Sequence, residues 1–308
     1  MCAITQELML DPVLCEDGNT YERTAITEWL STHNTSPLDP SCKLDVSRLM
    51  PNRAVKTQIE ELVASGELDG DLCEGFKQRQ FESSPEYAQT LYDDGQVEKA
   101  AELGLPEAMG FMAERCYFGT GGSAKNIGQS VKWAKRAAEA GDKLGQFRLG
   151  HAYYEGEGGL PKDWACAALC HEKAANQGHV LAMLFVGDLR KRGGKGLTKN
   201  HELSAGWYQK AAEAGDKIGM YHYGLALFKG QGAPKNLPGA REWFTKAADH
   251  NDVDAMRRLG TMMIKGEGGA LNIGEGFALW EEAAGLGDEK AQENIQEHQR
   301  LMATGNFK

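Results

Sequence analysis

The chain opens with Cys2-Ala3-Ile4-Thr5-Gln6-Glu7-Leu8, passes through Asp11-Pro12-Val13 and Asp17-Gly18-Asn19-Thr20-Tyr21-Glu22-Arg23, and reaches Glu28-Trp29-Leu30. Asp11-Pro12-Val13 reads as a turn entering a short strand. Asp17-Gly18-Asn19 is hairpin chemistry, with the glycine supplying a positive φ. Thr24, Ala25, Ile26, Trp29 and Leu30 follow with helical spacing, and Thr20 or Thr24 is placed to cap that helix. Ser36-Pro37 and Asp39-Pro40 break the chain into a loop. A second helix begins near Asn52, with Ala54, Val55, Ile59 and Leu62 on one face. A hairpin, a helix, a loop and a closing helix make a very small domain, of a size that usually needs a staple.

Zinc is the first staple to consider. A metal cross-brace takes Cys or His ligands in close pairs, whereas this segment offers only Cys2, Cys15, Cys42 and His33, with no close cysteine pair. Metal binding is therefore not expected here.

Continued through Thr35-Ser36-Pro37-Leu38 to Leu49-Met50-Pro51-Asn52-Arg53-Ala54-Val55-Lys56, the segment resembles a U-box over residues 1–66. The U-box is the zinc-free relative of the RING domain in ubiquitin ligases. The resemblance implies a small α+β fold in which hydrogen bonds and ion pairs stand where RING has metal ligands. Asp11, Thr20, Glu22, Arg23, Ser36 and Asn52 are the candidates for that network. It also implies ubiquitin ligase activity without a nucleophile on this chain. The domain would hold a ubiquitin-conjugating enzyme charged with ubiquitin and favour the arrangement in which a substrate amine attacks, which is catalysis by positioning and population shift. No cofactor is implied. By position, Ile4, Trp29 and Pro37 match the docking surface for the conjugating enzyme. Ile4 is assigned to docking rather than to a small core, and Trp29 is open between the two. Gln6 stands where relatives often carry an apolar residue. The loop from Pro37 to Leu44 is one residue longer than the usual pattern, and Ser41 and Lys43 are the nearest candidates for positioning ubiquitin.

The full sequence of 308 residues has room for more than one domain. A formal net charge of -10 argues against non-specific nucleic-acid binding, which needs a basic surface. No apolar run approaches a membrane span, and the first residues lack the basic and apolar regions of a signal peptide. Seven cysteines without framework spacing suit a reducing compartment, so a cytoplasmic or nuclear location is expected. Cys166 and Cys170 read as small buried apolar residues.

Beyond residue 100 the chain repeats. Gly104, Gly141, Gly178 and Gly215 lie 37 apart, and Asn251 and Gly287 continue at steps of 36. Ala108, Gly145, Ala182, Gly219, Ala255 and Ala291 keep the same period, as do Ala113, Gly150, Gly187, Gly224 and Gly260. Several registers sharing one period mark a solenoid. Each repeat reads as a helix with small residues, a Gly-rich loop such as Glu155-Gly156-Glu157-Gly158-Gly159, and a second helix. That second helix is capped by Asn126, Asp163, Asn200, Asn236 or Asn272. It carries Trp133, Trp207-Tyr208, Trp243-Phe244 or Leu279-Trp280, whose strict phase assigns them to the core between repeats, and it ends in Ala-Ala-x-x-Gly. This spacing, with Ala-Glu-Ala-Gly-Asp at 138–142 and 212–216, resembles Sel-1-like repeats, relatives of tetratricopeptide repeats, over roughly residues 101–300.

The expected architecture is thus a small zinc-free U-box over 1–66 and, over 67–85, a linker with partial order left open. A capping helix pair over 86–103, about five repeats over 104–287, and a last helix with a frayed tail over 288–308 complete it. The repeats would select a protein substrate or chaperone, and a homodimer is left open. Lys191, Arg192 and Lys195 form a basic loop in an acidic protein, read as a solvated loop that an acidic segment could also occupy. The Gly-rich loops fit no phosphate-binding fingerprint. No acid–base or metal cluster stands out for a small-molecule enzyme. The competing reading of the whole chain is a non-catalytic scaffold or adaptor.

Overall fold

A computed structural model describes residues 1–66, 70–122, 124–194 and 196–303. Two compact units divide the chain, Met1–Leu105 and Pro106–Lys308. Among the described residues no helix is long and apolar enough to cross a membrane.

In the first unit, β1 (Pro12–Leu14) pairs antiparallel with β2 (Thr20–Glu22) and β3 (Met50–Pro51), in the order β2-β1-β3. Gly18 turns the hairpin at a φ of 77°, and Asp17 Oδ1 accepts from the Asn19 N–H at 2.9 Å. Helix α1 (Arg23–Thr32) packs Ile26 inward, and α2 (Arg53–Ser65) closes the sheet. The core gathers Leu8, Val13, Tyr21, Ile26, Leu44 and Ile59. In α2 Ile59 is buried, and Val55 and Val63 pack against the core, whereas Ala54 faces solvent.

One expectation changes. Neither Thr20 nor Thr24 caps α1. Its N-cap is Glu22, whose carboxylate is drawn away to the amides of Leu10 and Asp11, while Thr20 is taken by Asn52. The segment 67–85, read as a linker with partial order left open, contains helix α3 (Gly70–Glu82). Its charged surface hides a short apolar seam: Cys73 and Phe76 are buried, and Phe76 with Leu72 joins the core of the small domain. Arg79 in α3 pairs with Glu7 at 2.6 Å. Two short helices follow, α4 (Pro85–Asp93), capped by Ser84, and α5 (Val97–Glu102).

The second unit is a helical solenoid of antiparallel pairs. α6 (Pro106–Phe118), α8 (Lys143–Glu155), α10 (Val180–Arg192), α12 (Lys217–Lys229) and α14 (Val253–Lys265) are the first helices. Their partners are α7 (Ile127–Glu139), α9 (Trp164–Asn176), α11 (His201–Glu213), α13 (Leu237–Asp249) and α15 (Ile273–Gly285), and α16 (Glu289–Ala303) packs on α15. The expected tail falls mostly on 304–308, outside the described residues. Asn126, Asp163, Asn200, Asn236 and Asn272 each accept from an amide in the first turn of a second helix. The period-setting glycines take left-handed backbone just after these helices, as at Gly215 (φ 89°), and Asn251 substitutes at φ 56°.

Small residues permit the close approach between paired helices. A methyl group on Gly224 would lie 2.9 Å from the Phe244 ring, and one on Gly187 would lie 2.8 Å from Tyr208. Gly150 faces His171 and Gly260 faces Trp280 in the same way. In the first repeat the ring position is Ala134 and the glycine position is Ala113, so the loss of the ring coincides with the gain of a methyl. Trp133, Tyr208, Phe244 and Trp280 are buried, and Trp207 and Trp243 are half-buried beneath Lys210 and Lys246. Cys166 and Cys170 are half-buried rather than buried, because that face of α9 is not fully covered. Burial pushes the Cys170 thiol up to about 11, which keeps it protonated.

Candidate functional site

The polar groups of the first unit form three linked sets around the hairpin. Glu22 accepts the Leu10 amide at 2.6 Å and the Asp11 amide at 3.2 Å, and Arg23 Nε donates to Asp11 Oδ2 at 2.6 Å. Asn52 joins the hairpin to α2: its Nδ2 donates to Thr20 Oγ1 at 2.9 Å, and its Oδ1 accepts from the Val55 amide. Ser36, buried in the loop after α1, donates to Asp17 Oδ2 at 2.5 Å and accepts from the amides of Leu38 and Asp39. Tyr21 donates to the same Asp17 oxygen at 2.8 Å. All six residues expected in the network make such contacts, and Asp17 and Tyr21 are added to it. The Asp-Gly-Asn turn signal masked Asp17, although a carboxylate beside a buried Tyr is a readable clue. Burial alone would raise the Asp17 pKa, but hydrogen bonds from Ser36, Asn19 and Tyr21 outweigh it and hold the carboxyl below its ordinary range. Burial pushes the Tyr21 hydroxyl up to about 12.

This scaffold fixes a groove of about 360 Å³ whose lining includes Ile4, Thr5, Ala25, Glu28 and Trp29. Ile4 sits on a tight turn closed by Cys2 N–H to Glu7 O at 2.8 Å and Gln6 N–H to Cys2 O at 2.9 Å. Gln6, at the exposed corner of that turn, has a φ of 61°. Trp29 is pinned on both sides: its indole N–H donates to Thr35 O at 2.9 Å, and its ring stacks on His33 with centroids 4.0 Å apart. It packs against the core and lines the groove at once. Ile4 and Trp29 are both half-buried. Pro37 is half-buried on the neighbouring loop and does not line this groove.

The loop beyond Pro37 is a small closed hairpin. Ser36 N–H bonds to Cys42 O, Thr35 bridges Lys43, and Leu44 is buried. Asp39 Oδ1 accepts both the amide and the hydroxyl of Ser41, so Ser41 serves the turn. Lys43 is exposed. Among the described residues no group of three or more His, Cys, Asp or Glu could hold a metal ion.

The family model described as the U-box domain matches residues 1–67. The Sel1 repeat model matches 106–142, 143–179, 180–216, 218–252 and 253–288, more than half of the chain. The chain belongs to the Sel1 repeat family and carries an N-terminal U-box. A U-box domain-containing protein of Arabidopsis thaliana is 52% identical over 63 residues, covering 20% of this chain and 15% of that one. The WD repeat, SAM and U-box domain-containing protein 1 of Danio rerio is 48% identical over 60 residues, covering 19% and 12%. The chain therefore spans only a small part of the curated relatives it matches, and the likeness is confined to the U-box. The repeats resemble a solved protective antigen of uropathogenic Escherichia coli, with an SLR fold, at 32% identity and a TM-score of 0.61, covering 67% of this chain and 43% of that one. A Sel1 repeat protein from Oxalobacter formigenes follows at 28% identity and a TM-score of 0.56, covering 67% and 84%.

Within the Sel1 repeats, ion pairs link α6 to α8 and α9 to α10, and join α14 to the residue before α16. Arg148 holds Glu114 at 2.5 Å and Arg190 holds Glu172 at 2.5 Å, while the buried Arg257 pairs with Asp254 and with Asp288 at 2.8 Å. Lys191 and Arg192 end α10, and Lys195 lies outside the described residues. Sequence reasoning also missed Asp142, Asp216 and Asp252, which cap the first helices of their repeats through side-chain oxygens.

Proposed function

We propose that this protein is a U-box ubiquitin ligase. The U-box docks a ubiquitin-conjugating enzyme on the groove formed by Ile4 and Trp29, with the Pro37 loop beside it. The Sel1 repeats hold a protein substrate or a chaperone. The observation that carries the reading is the pairing of two half-buried apolar anchors in one groove, on a domain braced by side-chain hydrogen bonds. Such an anchor pair is the kind of feature that concentrates binding energy. Because the chain positions another enzyme's thioester, no cysteine here is required for transfer.

A scaffold without transfer activity is the second reading. It draws on the engagement of Ser41 by Asp39, which leaves Lys43 as the remaining candidate to contact ubiquitin, and on the polar, exposed Gln6 two residues beyond Ile4. Incubation of the full chain with activating enzyme, ATP, ubiquitin and a panel of conjugating enzymes separates the two. Ubiquitin chains or self-modification support the ligase. No product from any member of the panel, with the protein folded, supports the scaffold.

A further inference from the structure

The repeats keep a fixed apolar pattern that the third one breaks. The penultimate residue of the first helix is Tyr117, Tyr154, Lys191, Phe228 and Ile264 in turn. The opening residue of the second helix is Ile127, Trp164, His201, Leu237 and Ile273. Only the third repeat places basic side chains at both, and both line one cavity of about 40 Å³.

Ser204, Tyr208, His222, Lys229 and Gln231 complete its polar wall, and no carboxylate is among the described residues that line it. Asp188, outside the lining, already accepts the Tyr208 hydroxyl at 2.7 Å and pairs with Arg192 at 3.3 Å. The His222 ring stacks on Tyr208 at 4.6 Å, and its Nδ1 is buried without a hydrogen-bond partner among the described residues. Lys191 Nζ stands 6.0 Å from the Tyr208 ring centre. Burial holds His222 below its ordinary pKa, and the charge of Lys191 pushes it the same way. The space admits roughly three waters, and hence one small anionic group rather than a whole ligand.

We propose that this cavity receives the carboxylate of an Asp or Glu side chain from an acidic segment of a protein partner. Lys191 and Lys229 supply the charge, and His201 and His222 the remaining donors. The inference rests on the reading that the repeats hold protein partners. Two lysines on the lining favour a carboxylate over the neutral amide of Asn or Gln.

Fluorescein-labelled deca-glutamate and deca-glutamine peptides, titrated with the full chain at low salt and followed by anisotropy, test the assignment. Deca-glutamate should bind and deca-glutamine should not. The double variant Lys191→Glu/Lys229→Glu should weaken binding by about tenfold or more, and Lys191→Gln/Lys229→Gln by less. Reversing two exposed lysines of α7, Lys132→Glu/Lys135→Glu, should leave binding nearly unchanged. Absence of deca-glutamate binding, equal loss in the α7 variant, or lysine-dependent binding of deca-uridine RNA in its place would overturn the proposal. Self-ubiquitination should persist in Lys191→Glu/Lys229→Glu. Peptide binding by a wild-type protein that makes no ubiquitin chains would remove the ligase reading and leave the cavity assignment intact.

Discussion

The Ser36 hydroxyl meets the Asp17 carboxylate at 2.5 Å across 19 residues, fastening the loop after α1 to the turn of the hairpin. Ser36 also accepts two amides of that loop, so one small buried residue sets the position of Pro37 and of the segment to Leu44. Ser36→Ala should cost roughly 2 kcal/mol, since it removes a bond to a charged acceptor and strands two amides. Urea unfolding with amide exchange over residues 33–45 checks this. The loop should lose protection before the rest of the small domain.

Asp17 makes the same link pH-dependent. Its folded pKa lies below the ordinary value, so the native carboxylate binds its proton less tightly than the unfolded one. The stabilisation is complete above the ordinary carboxylate range and disappears as pH falls through the lowered folded value. A carboxyl-carbon titration by NMR should place Asp17 below exposed aspartates, and Ser36→Ala should move it upward.

In the solenoid, Gly224 faces the ring of Phe244 with no room for a methyl. Gly224→Ala favours the helix by propensity, yet the clash should dominate and destabilise the repeats by about 1–3 kcal/mol. Thermal unfolding followed by circular dichroism gives the sign. A more stable variant would show that the helix pair can separate without loss.

His171 occupies the position held by Tyr208, Phe244 and Trp280 in later repeats. It is fully buried against Phe147 and Phe185, and neither ring nitrogen has a partner among the described residues. Burial, reinforced by the nearby His151 and His179, pulls its pKa down to about 3. The unfolded chain then takes up a proton near pH 6.5 that the folded one refuses until about 3, so stability falls as pH drops through that window. His171→Phe should stabilise the repeats by about 1–2 kcal/mol at neutral pH and flatten the acid loss. His151 and His179, whose pKa values burial also lowers, leave a residual slope. Melting temperatures between pH 4 and 7.5 test the difference.

Much of this was legible because the signals were periodic or local. The phase of Gly150, Gly187, Gly224 and Gly260 marked close helix contacts, and Asn52 and Asn126 marked helix starts. Harder to read were residues whose partners lie far along the chain. Asp17 looks like a turn residue until Ser36 is brought to it from 19 residues away. Helix α3 carries so few apolar residues that only the burial of Cys73 and Phe76 reveals its packed side. Likewise the break in pattern at Lys191 and His201 was visible in each residue alone. Their convergence required the turn between α10 and α11.

The central claim is that Ile4 and Trp29 form the docking groove for a ubiquitin-conjugating enzyme. Its most direct test is the rate at which the full chain discharges ubiquitin from a charged conjugating enzyme to free lysine, compared with Ile4→Ala. Loss of this half-buried anchor should slow discharge by about tenfold or more while the domain, losing part of one core contact, stays folded at the assay temperature. Discharge by a folded Ile4→Ala protein at the wild-type rate would contradict the account.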